Sequence, residues 1–374
     1  MKKILLILLC LLLTGCAAVP DAAPPGPDWN TLEKTGALEL EYADQFSADY
    51  YSGGYTLISI ADGNRYLLVP EDAAVPSGLD SDITVLRQPL DRIYLAATSA
   101  MDLYRAVDGM GSIRLSSQQA EDWFVEEAKL AMERGDILYA GKYNVPDYEL
   151  LYAEKCDLAV ESTMIYHSPE VKEQLERLGI PVLVERSSYE KNPLGRIEWL
   201  KLHGLLLGRL PQAEARFRQE LEAVTPILNQ PSTGKTVAFF SVNPVGYVTV
   251  RKSGDYIARA IQMAGGEYIF SDLGDSDNNS PTMNLQMEAF YLGAKDADIL
   301  IYNSAISGEL ATLEQLLSQA PLLKDFKAVQ TGQVWCTGQN VFQQSMSIGG
   351  LLLDFHQVIT REGPENLTYL YPLT

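Results

Sequence analysis

The stretch from Leu194 to Leu228 reads LGRIEWLKLHGLLLGRLPQAEARFRQELEAVTPIL, and the rest of the chain is arranged around it. Apolar residues recur close to every 3.6 positions in its first half, which predicts a helix with one buried face. Pro211 suits the first turn of a second helix, because the N–H that proline lacks would have no partner there. That second helix would be about 25 Å long. The stretch is either an ordinary surface helix of one large domain or a stiff strut between two lobes.

The sequence on both sides of this stretch favours the strut. Short apolar strands alternate with helices from Arg92 to Val184, and the alternation starts again at Thr236 and continues to Ile359. Such alternation is typical of parallel sheets covered by helices on both faces. A chain of 374 residues is also too long for one common core. We therefore expect an α/β fold with two lobes of similar build.

The domain limits follow from these patterns and from the composition of the N-terminal part. A stretch rich in Pro, Ala, Gly and Asp reads as a flexible tether, and a hairpin signal at residues 61–64 leads into the first lobe. The expected segments are a signal peptide and lipobox (1–16), a tether (17–40), an N-terminal lobe (41–193), connecting helices (194–229) and a C-terminal lobe (230–374).

The first sixteen residues resemble the leader of a bacterial lipoprotein. Lys2 and Lys3 precede an apolar run that is too short to span a membrane, and Leu-Thr-Gly-Cys follows at positions 13–16. The alternative is a plain secretory signal that contains a cysteine. The lipobox predicts lipidation of Cys16 and a protein anchored by lipid to the extracytoplasmic face of the cell membrane.

Charge and cysteine content narrow the classes of partner. The formal net charge is −20, which argues against nucleic acid, because phosphate binding needs clustered Lys and Arg. Cys156 and Cys336 remain once the leader is set aside, and we expect two buried free thiols. The sequence has no Cys/His spacing typical of a metal site, so neither a metal nor a cofactor is expected.

Four stretches together resemble one family of transport proteins. They are Tyr148-Glu149-Leu150-Leu151 with Lys155-Cys156-Asp157-Leu158, Leu178-Gly179-Ile180-Pro181-Val182, Ala264-Gly265-Gly266-Glu267-Tyr268-Ile269-Phe270, and Met287-Glu288 with Asp298-Ile299. In this order, and with the lipobox, the chain resembles the solute-binding lipoproteins of ABC importers for ferric siderophores, haem and cobalamin. Cys156 departs from the family pattern, which has proline there.

The resemblance implies a fold and a partner. The fold would be two Rossmann-like lobes with parallel sheets, joined by a single long backbone helix. The partner would be an ABC permease dimer with its ATPase, and the family places one acidic residue of each lobe against permease arginines. Those positions match Glu149 and Glu288 here. The alternative is that both are ordinary solvated glutamates at helix starts.

The ligand site should lie in the cleft, on loops that follow strand ends. Aromatic faces and arginine forks would suit a bulky anionic iron chelate. The candidates are Lys142, Tyr143, Tyr166, His167, Tyr189 and Arg196 from the first lobe, and Tyr247, Arg251, Trp335 and the loop from Gln339 to Gln344 from the second. Two alternatives stay open: Arg196 pairs with Glu190 or Glu198, and His167 caps the next helix.

The function expected from these observations is capture of a ferric siderophore or related iron chelate for delivery to the permease. Haem and cobalamin are alternatives within the same family. A surface lipoprotein without a small ligand is an alternative from a different class. An enzyme is not expected, because the Gly-x-Ser-x-Gly pattern of a hydrolase nucleophile does not occur.

Overall fold

The N-terminal part of the chain forms a sheet around the predicted hairpin. The computed structural model describes residues 26–274, 281–360 and 365–374. Five strands lie in chain order in this sheet: β1 (Lys34–Ala37), β2 (Phe46–Tyr51), β3 (Thr56–Ile60), β4 (Arg65–Val69) and β5 (Ile83–Arg87). The hairpin between β3 and β4 is confirmed, and only β4 and β5 pair in parallel. One face joins the main core, where the Tyr66 hydroxyl donates to the carbonyl of Val182.

The tether predicted for residues 17–40 is wrong from Trp29 onwards. Trp29–Thr31 form a short 3₁₀ helix, and β1 adds the first strand to the sheet. The ring of Trp29 lies 4.6 Å from that of Tyr51, and Leu32 packs against the same outer face of the sheet. These apolar side chains order a segment whose Pro and Gly content favoured flexibility. Cys16 and the leader lie outside the described residues.

The first lobe contains a parallel sheet with helices on both faces. Its strands are β6 (Ile93–Leu95), β7 (Ile113–Ser116), β8 (Leu138–Tyr139), β11 (Leu158–Ser162) and β12 (Val182–Glu185), in the order β12-β11-β6-β7-β8. A small hairpin, β9 (Gly141–Lys142) and β10 (Val145–Pro146), follows β8. The helices are α1 (Met101–Ala106), α2 (Glu126–Glu133), α3 (Tyr148–Ala153) and α4 (Pro169–Arg177). All neighbouring strands of this five-stranded sheet pair in parallel, as the alternation of strands and helices predicted.

The stretch from Leu194 to Leu228 lies in two helices, α5 (Pro193–Leu206) and α6 (Leu210–Leu228). Every residue of α5 is buried, because α1, α6 and the N-terminal segment cover it. The chain turns between the helices at Gly208, whose φ of 65° favours glycine. The helices approach closely, since a Cβ added to Gly204 would lie 2.6 Å from that of Ala213.

Of these two helices, α6 makes the connection between the lobes. At its start, Arg209 donates to the carbonyl of Val107 in the first lobe at 3.1 Å. Further along, Glu220 lies against Gly349 of the second lobe. Its 19 residues correspond to about 28 Å. The predicted α/β fold with two lobes and a connecting helix is confirmed, and α5 packs against α1 of the first lobe and against two helices of the second.

The second lobe has a mixed sheet. Its strands are β13 (Thr236–Val242), β14 (Val248–Arg251), β15 (Glu267–Tyr268), β16 (Thr282–Leu285), β17 (Ile299–Tyr302), β18 (Val334–Thr337) and β19 (Leu370–Pro372), in the order β16-β14-β13-β17-β18-β19 with β15 also beside β13. The helices are α7 (Tyr256–Met263), α8 (Met287–Ala294), α9 (Ser304–Ser307), α10 (Leu313–Gln319), α11 (Lys327–Gln330) and α12 (Ile348–Thr360). The central strands are parallel, whereas β14, β16 and β19 are antiparallel. In the part of the chain that the structure describes, no helix has the length and apolar character needed to cross a bilayer.

Candidate functional site

The loops at the carboxyl ends of the two sheets meet each other. Ser345, in the loop between β18 and α12, donates its hydroxyl to the carbonyl of Ser99, which follows β6. The next residue, Met346, donates its N–H to the buried carboxylate of Asp102 at 2.8 Å. The carboxyl ends of parallel strands share one edge of a sheet, so these contacts bring the two edges together. The seam between them is where a ligand cleft is expected.

A second contact across the seam involves the loop predicted from Gln339 to Gln344. The Phe124 N–H donates to the Gln343 side chain at 2.8 Å, and that side chain donates to the carbonyl of Asp122 at 2.8 Å. Gln344 also donates to the carbonyl of Phe124. The ring of Phe124 itself stays 46% exposed. This loop therefore joins the lobes while leaving an aromatic face in the seam.

Arg196 lies where the two lobes meet, and among the described residues no carboxylate is within 4.0 Å of its guanidinium. Its guanidinium carbon lies 4.1 Å from the ring centroid of Tyr256, at the start of α7 in the other lobe. Arg196 is 8% exposed, its Nε has no hydrogen-bond partner, and no ion pair within 4.0 Å involves it among the described residues. Burial raises the pKa of the neighbouring Glu185, although the Ser187 N–H and the charge of Arg196 oppose this shift. A buried guanidinium in this state favours an anionic guest.

The pairing of Arg196 with Glu190 or Glu198 is not found. Glu198 accepts three backbone N–H groups of residues 41–43 and pairs with Lys201 at 2.7 Å. Glu190 accepts the N–H groups of residues 44 and 45 and the indole N–H of Trp199. Both carboxylates are thus occupied in holding the N-terminal segment against α5. They leave the Arg196 charge available.

Arg251 lies in the second lobe near the same ring. Its guanidinium is within 3.5 Å of Asp255, and it lies about 6 Å from the ring centroids of Phe239 and Phe342. Burial lowers the pKa of Arg251, but the Asp255 carboxylate and the Tyr256 hydroxyl outweigh it and the net shift is upward. Arg196 and Arg251 therefore approach Tyr256 from different lobes. Among the described residues, only Arg251 of the two has a carboxylate within 4.0 Å.

Tyr166 and Tyr189 lie together at the carboxyl edge of the first lobe, on either side of Arg186. The Arg186 guanidinium carbon is 4.4 Å from the ring centroid of Tyr189 and 6.0 Å from that of Tyr166. Its Nη1 donates to the Tyr166 hydroxyl at 3.0 Å. Burial, followed by the hydrogen bond to Asp62, raises the pKa of Tyr166 to about 12 despite the opposing Arg186. The sequence reasoning missed Arg186, although it directly follows the buried strand β12.

The remaining predicted ligand residues are more scattered. His167 is exposed at the end of the Thr163–His167 turn, and no cap from its side chain is found on α4. Lys142 is exposed on β9, while Tyr143 packs against the first-lobe core. Tyr247 is 38% exposed in the turn before β14. These residues lie at or near strand ends, but within the described part of the chain no hydrogen bond, ion pair or ring contact joins them to Arg196 or Arg251.

Trp335 does not lie at the seam. It is 5% exposed on β18 and borders a cavity of about 490 Å³ whose walls all come from the second lobe, including Gln333 and Tyr371. The indole N–H has no partner among the described residues. The structure therefore separates Trp335 from Arg196 and Arg251.

A cavity of about 520 Å³ lies between the lobes beside α6. Both arginines in its wall are already paired: Arg105 with Asp102 at 2.6 Å, and Arg216 with Glu220 at 2.6 Å. Burial raises the pKa of Glu220, and Arg216 opposes that shift. Because both of its arginines already have carboxylate partners, this cavity is a weaker candidate for an anionic ligand than the region around Arg196.

Glu149 and Glu288 occupy matching places on the two lobes. Each is exposed in the first turn of a helix, Glu149 on α3 and Glu288 on α8. Each also has an exposed apolar residue about one turn further along: Tyr152 is 69% exposed and Leu292 is 75% exposed. Residues at this spacing share a helix face.

Among the described residues, no group of three or more His, Cys, Asp or Glu could hold a metal ion.

Comparisons with known proteins agree with the α/β fold described above. The family model described as "Periplasmic binding protein" matches residues 116–341. A lipoprotein of Methanocaldococcus jannaschii, itself uncharacterised, is 24% identical over 92% of this chain and 89% of its own length. A periplasmic haem-binding protein from Pseudomonas aeruginosa superposes with a TM-score of 0.58 at 17% identity, covering 76% of this chain and 98% of that one. An ABC-type Fe³⁺-hydroxamate transport protein from Saccharomonospora viridis gives 0.55 at 16%, covering 73% and 94%.

Proposed function

Because the chain belongs to the periplasmic binding protein family, we propose that it is the extracytoplasmic substrate-binding lipoprotein of an ABC importer. Its ligand is a ferric siderophore or a related iron chelate, which it captures between its lobes and delivers to the permease. The family is one of solute-binding proteins and not a class of enzymes, and no catalytic role is assigned to any residue. The lipoprotein relative supports an anchor at Cys16.

The main support for this proposal is that Arg196 is buried and has no ion-pair partner among the described residues. The chain has 49 acidic residues and 29 basic ones, yet none of the carboxylates in the described residues lies within 4.0 Å of this buried guanidinium. A charge taken out of water needs compensation, and a ligand oxygen is the partner that the closed seam lacks. The Tyr256 ring lies over the guanidinium, and the buried Nε of Arg196 has no hydrogen-bond partner among the described residues.

The binding test compares two arginine variants. Purified protein is titrated with ferric siderophores, haem and cobalamin, and tryptophan quenching and thermal shift are recorded. The variant Arg196→Gln should weaken binding of an anionic ferric chelate about 10- to 100-fold. Its control, Arg218→Gln, removes an exposed guanidinium of α6 and should bind as the unchanged protein does. Equal affinity in both variants contradicts the role of Arg196.

The ligand panel also separates the alternatives. Saturable binding of haem or cobalamin, with none for ferric siderophores, would select a different ligand of the same family. The structural neighbour that binds haem keeps that alternative open. A protein that binds none of these molecules would be a surface lipoprotein without a small ligand.

The proposed docking surface consists of Glu149 with Tyr152 on the first lobe and Glu288 with Leu292 on the second. Exposed carboxylates that meet permease arginines would fix orientation, and the apolar neighbours would be buried at the contact. Reversing both charges by Glu149→Lys and Glu288→Lys should abolish ligand-stimulated ATP hydrolysis by the cognate transporter without changing ligand affinity.

The matched control for this docking test is the pair Glu170→Lys and Glu314→Lys. These glutamates are also exposed in the first turns of helices, one in each lobe. The control variant should support ATP hydrolysis as the unchanged protein does. Equal loss in both double variants would mean that net charge matters and that no specific docking surface exists.

A further inference from the structure

The N-terminal sheet reaches the candidate ligand site, although it precedes the residues that the family model matches. The sheet spans β1 to β5, before residue 116. Its hairpin turn carries Asp62, whose carboxylate accepts the Tyr166 hydroxyl at 2.9 Å. Gln45, directly before β2, accepts two N–H groups from Arg186. Two side chains of this sheet region therefore contact two side chains at the carboxyl edge of the first lobe.

The guanidinium of Arg186 is held in place but is not saturated. Its Nε and Nη2 donate to the Gln45 amide oxygen at 3.3 and 3.1 Å, and Nη1 donates to the Tyr166 hydroxyl. Tyr189 covers one face of the group. An arginine has five N–H donors, so one N–H on each terminal nitrogen remains. These two remaining N–H groups lie in one plane and are held in place, so they suit two oxygens of one anionic group.

The charge of Arg186 is also uncompensated. Its hydrogen-bond acceptors are an amide oxygen and a hydroxyl, both neutral, and no ion pair within 4.0 Å involves it among the described residues. The nearest carboxylate in this chain of contacts is Asp62, on the far side of the Tyr166 hydroxyl. A glutamate at position 45 would have neutralised the guanidinium. Glutamine holds the same geometry and leaves the charge free for a guest.

We propose that the N-terminal sheet is part of the ligand site, and that Gln45 and Asp62 are positioning residues for Arg186 and Tyr166. Together they present a preorganised fork to a ligand with paired anionic oxygens, such as carboxylate or catecholate. This inference rests on the proposed capture of an iron chelate and adds a specificity element to it. A fork held before binding loses less entropy when the ligand arrives.

The experiment uses Gln45→Glu, which keeps the shape of the side chain and adds a charge beside Arg186. The probes are ferric citrate, a ferric tris-catecholate, haem and a neutral ferric trihydroxamate. Gln45→Glu should weaken the anionic probes about 10-fold or more while changing the neutral probe by less than about 3-fold. The same effect should vanish in a protein that already carries Arg186→Gln, which shows that Glu at this position acts through the arginine. The thermal midpoint should not fall.

The matched control is Asp82→Asn, which breaks an exposed ion pair with Arg65 in the same sheet. It should bind every probe as the unchanged protein does. If Gln45→Glu binds the anionic probes normally, or if the protein binds only the neutral probe, the inference is overturned and the proposed function stands. If the unchanged protein binds none of the probes, capture of an iron chelate fails, and this inference fails with it.

Discussion

Replacing Glu161 with glutamine should stabilise the protein at neutral and alkaline pH and remove part of its pH dependence. Glu161 lies on β11, between β6 and β12, and its side chain is fully buried. Neither carboxylate oxygen has a hydrogen-bond partner among the described residues. Desolvation by burial raises the pKa of Glu161 from 4.5 to about 8. The folded protein therefore keeps this proton at a pH where the unfolded chain has released it.

The sign and size of the effect follow from this pKa difference. Below about pH 4.5 both states are protonated, so the raised pKa has no effect on stability. Between pH 4.5 and 8 only the unfolded chain ionises, and the free energy of unfolding falls by about 1.4 kcal/mol for each pH unit. The loss reaches roughly 3 kcal/mol at pH 7 and roughly 5 kcal/mol above pH 8.

The assay is denaturant unfolding followed by tryptophan fluorescence between pH 5 and pH 9. The difference in unfolding free energy between Glu161→Gln and the unchanged protein should grow steadily up to pH 8 and then level off. Other titrating groups cancel in this difference. The control variant Glu170→Gln, at an exposed position of α4, should run parallel to the unchanged protein. A Glu161→Gln curve that is also parallel would refute the reasoning.

Three further predictions concern the packing around α5 and the accessibility of the Cys156 thiol. Glu198→Gln should destabilise the protein by about 3 kcal/mol or more, measured by denaturant unfolding, because it weakens a buried ion pair and three backbone hydrogen bonds. Gly204→Ala should cost about 1–3 kcal/mol through overlap with Ala213, whereas Gly111→Ala, in open space, should cost little, as thermal midpoints will reveal. Cys156 is buried and burial raises its pKa to about 12, so a thiol reagent should label it only in denaturant; rapid labelling of the folded protein would disprove this.

The two lobes could be predicted because their strands are short apolar runs with clear breaks. The apolar run from Ile299 to Tyr302 forms one of the strands of the predicted alternation, since a fully buried parallel strand needs a continuous apolar sequence. The antiparallel strand β14, which lies between β16 and β13, was missed because it is only four residues long and two of them are polar. The strand β1 was also missed, since its residues Lys34–Ala37 carry no apolar pattern.

The candidate site could be predicted only in part. Of the residues named from the sequence, Arg196 contacts Tyr256 of the second lobe, and Tyr166 and Tyr189 lie beside Arg186. Arg186 was missed, because its role depends on Gln45, which is 141 positions away in the sequence. Trp335 was placed at the site from residue type alone, but its strand position directs it to a cavity within the second lobe. Long-range contacts of this kind leave no local pattern.

The most direct test of the account is a calorimetric titration of the full protein with the tightest ferric chelate of the panel. We expect one ligand for each chain, and an affinity that falls about 10- to 100-fold in Arg196→Gln and stays unchanged in Arg218→Gln. The absence of saturable heat with every iron chelate, haem and corrinoid would contradict capture between the lobes.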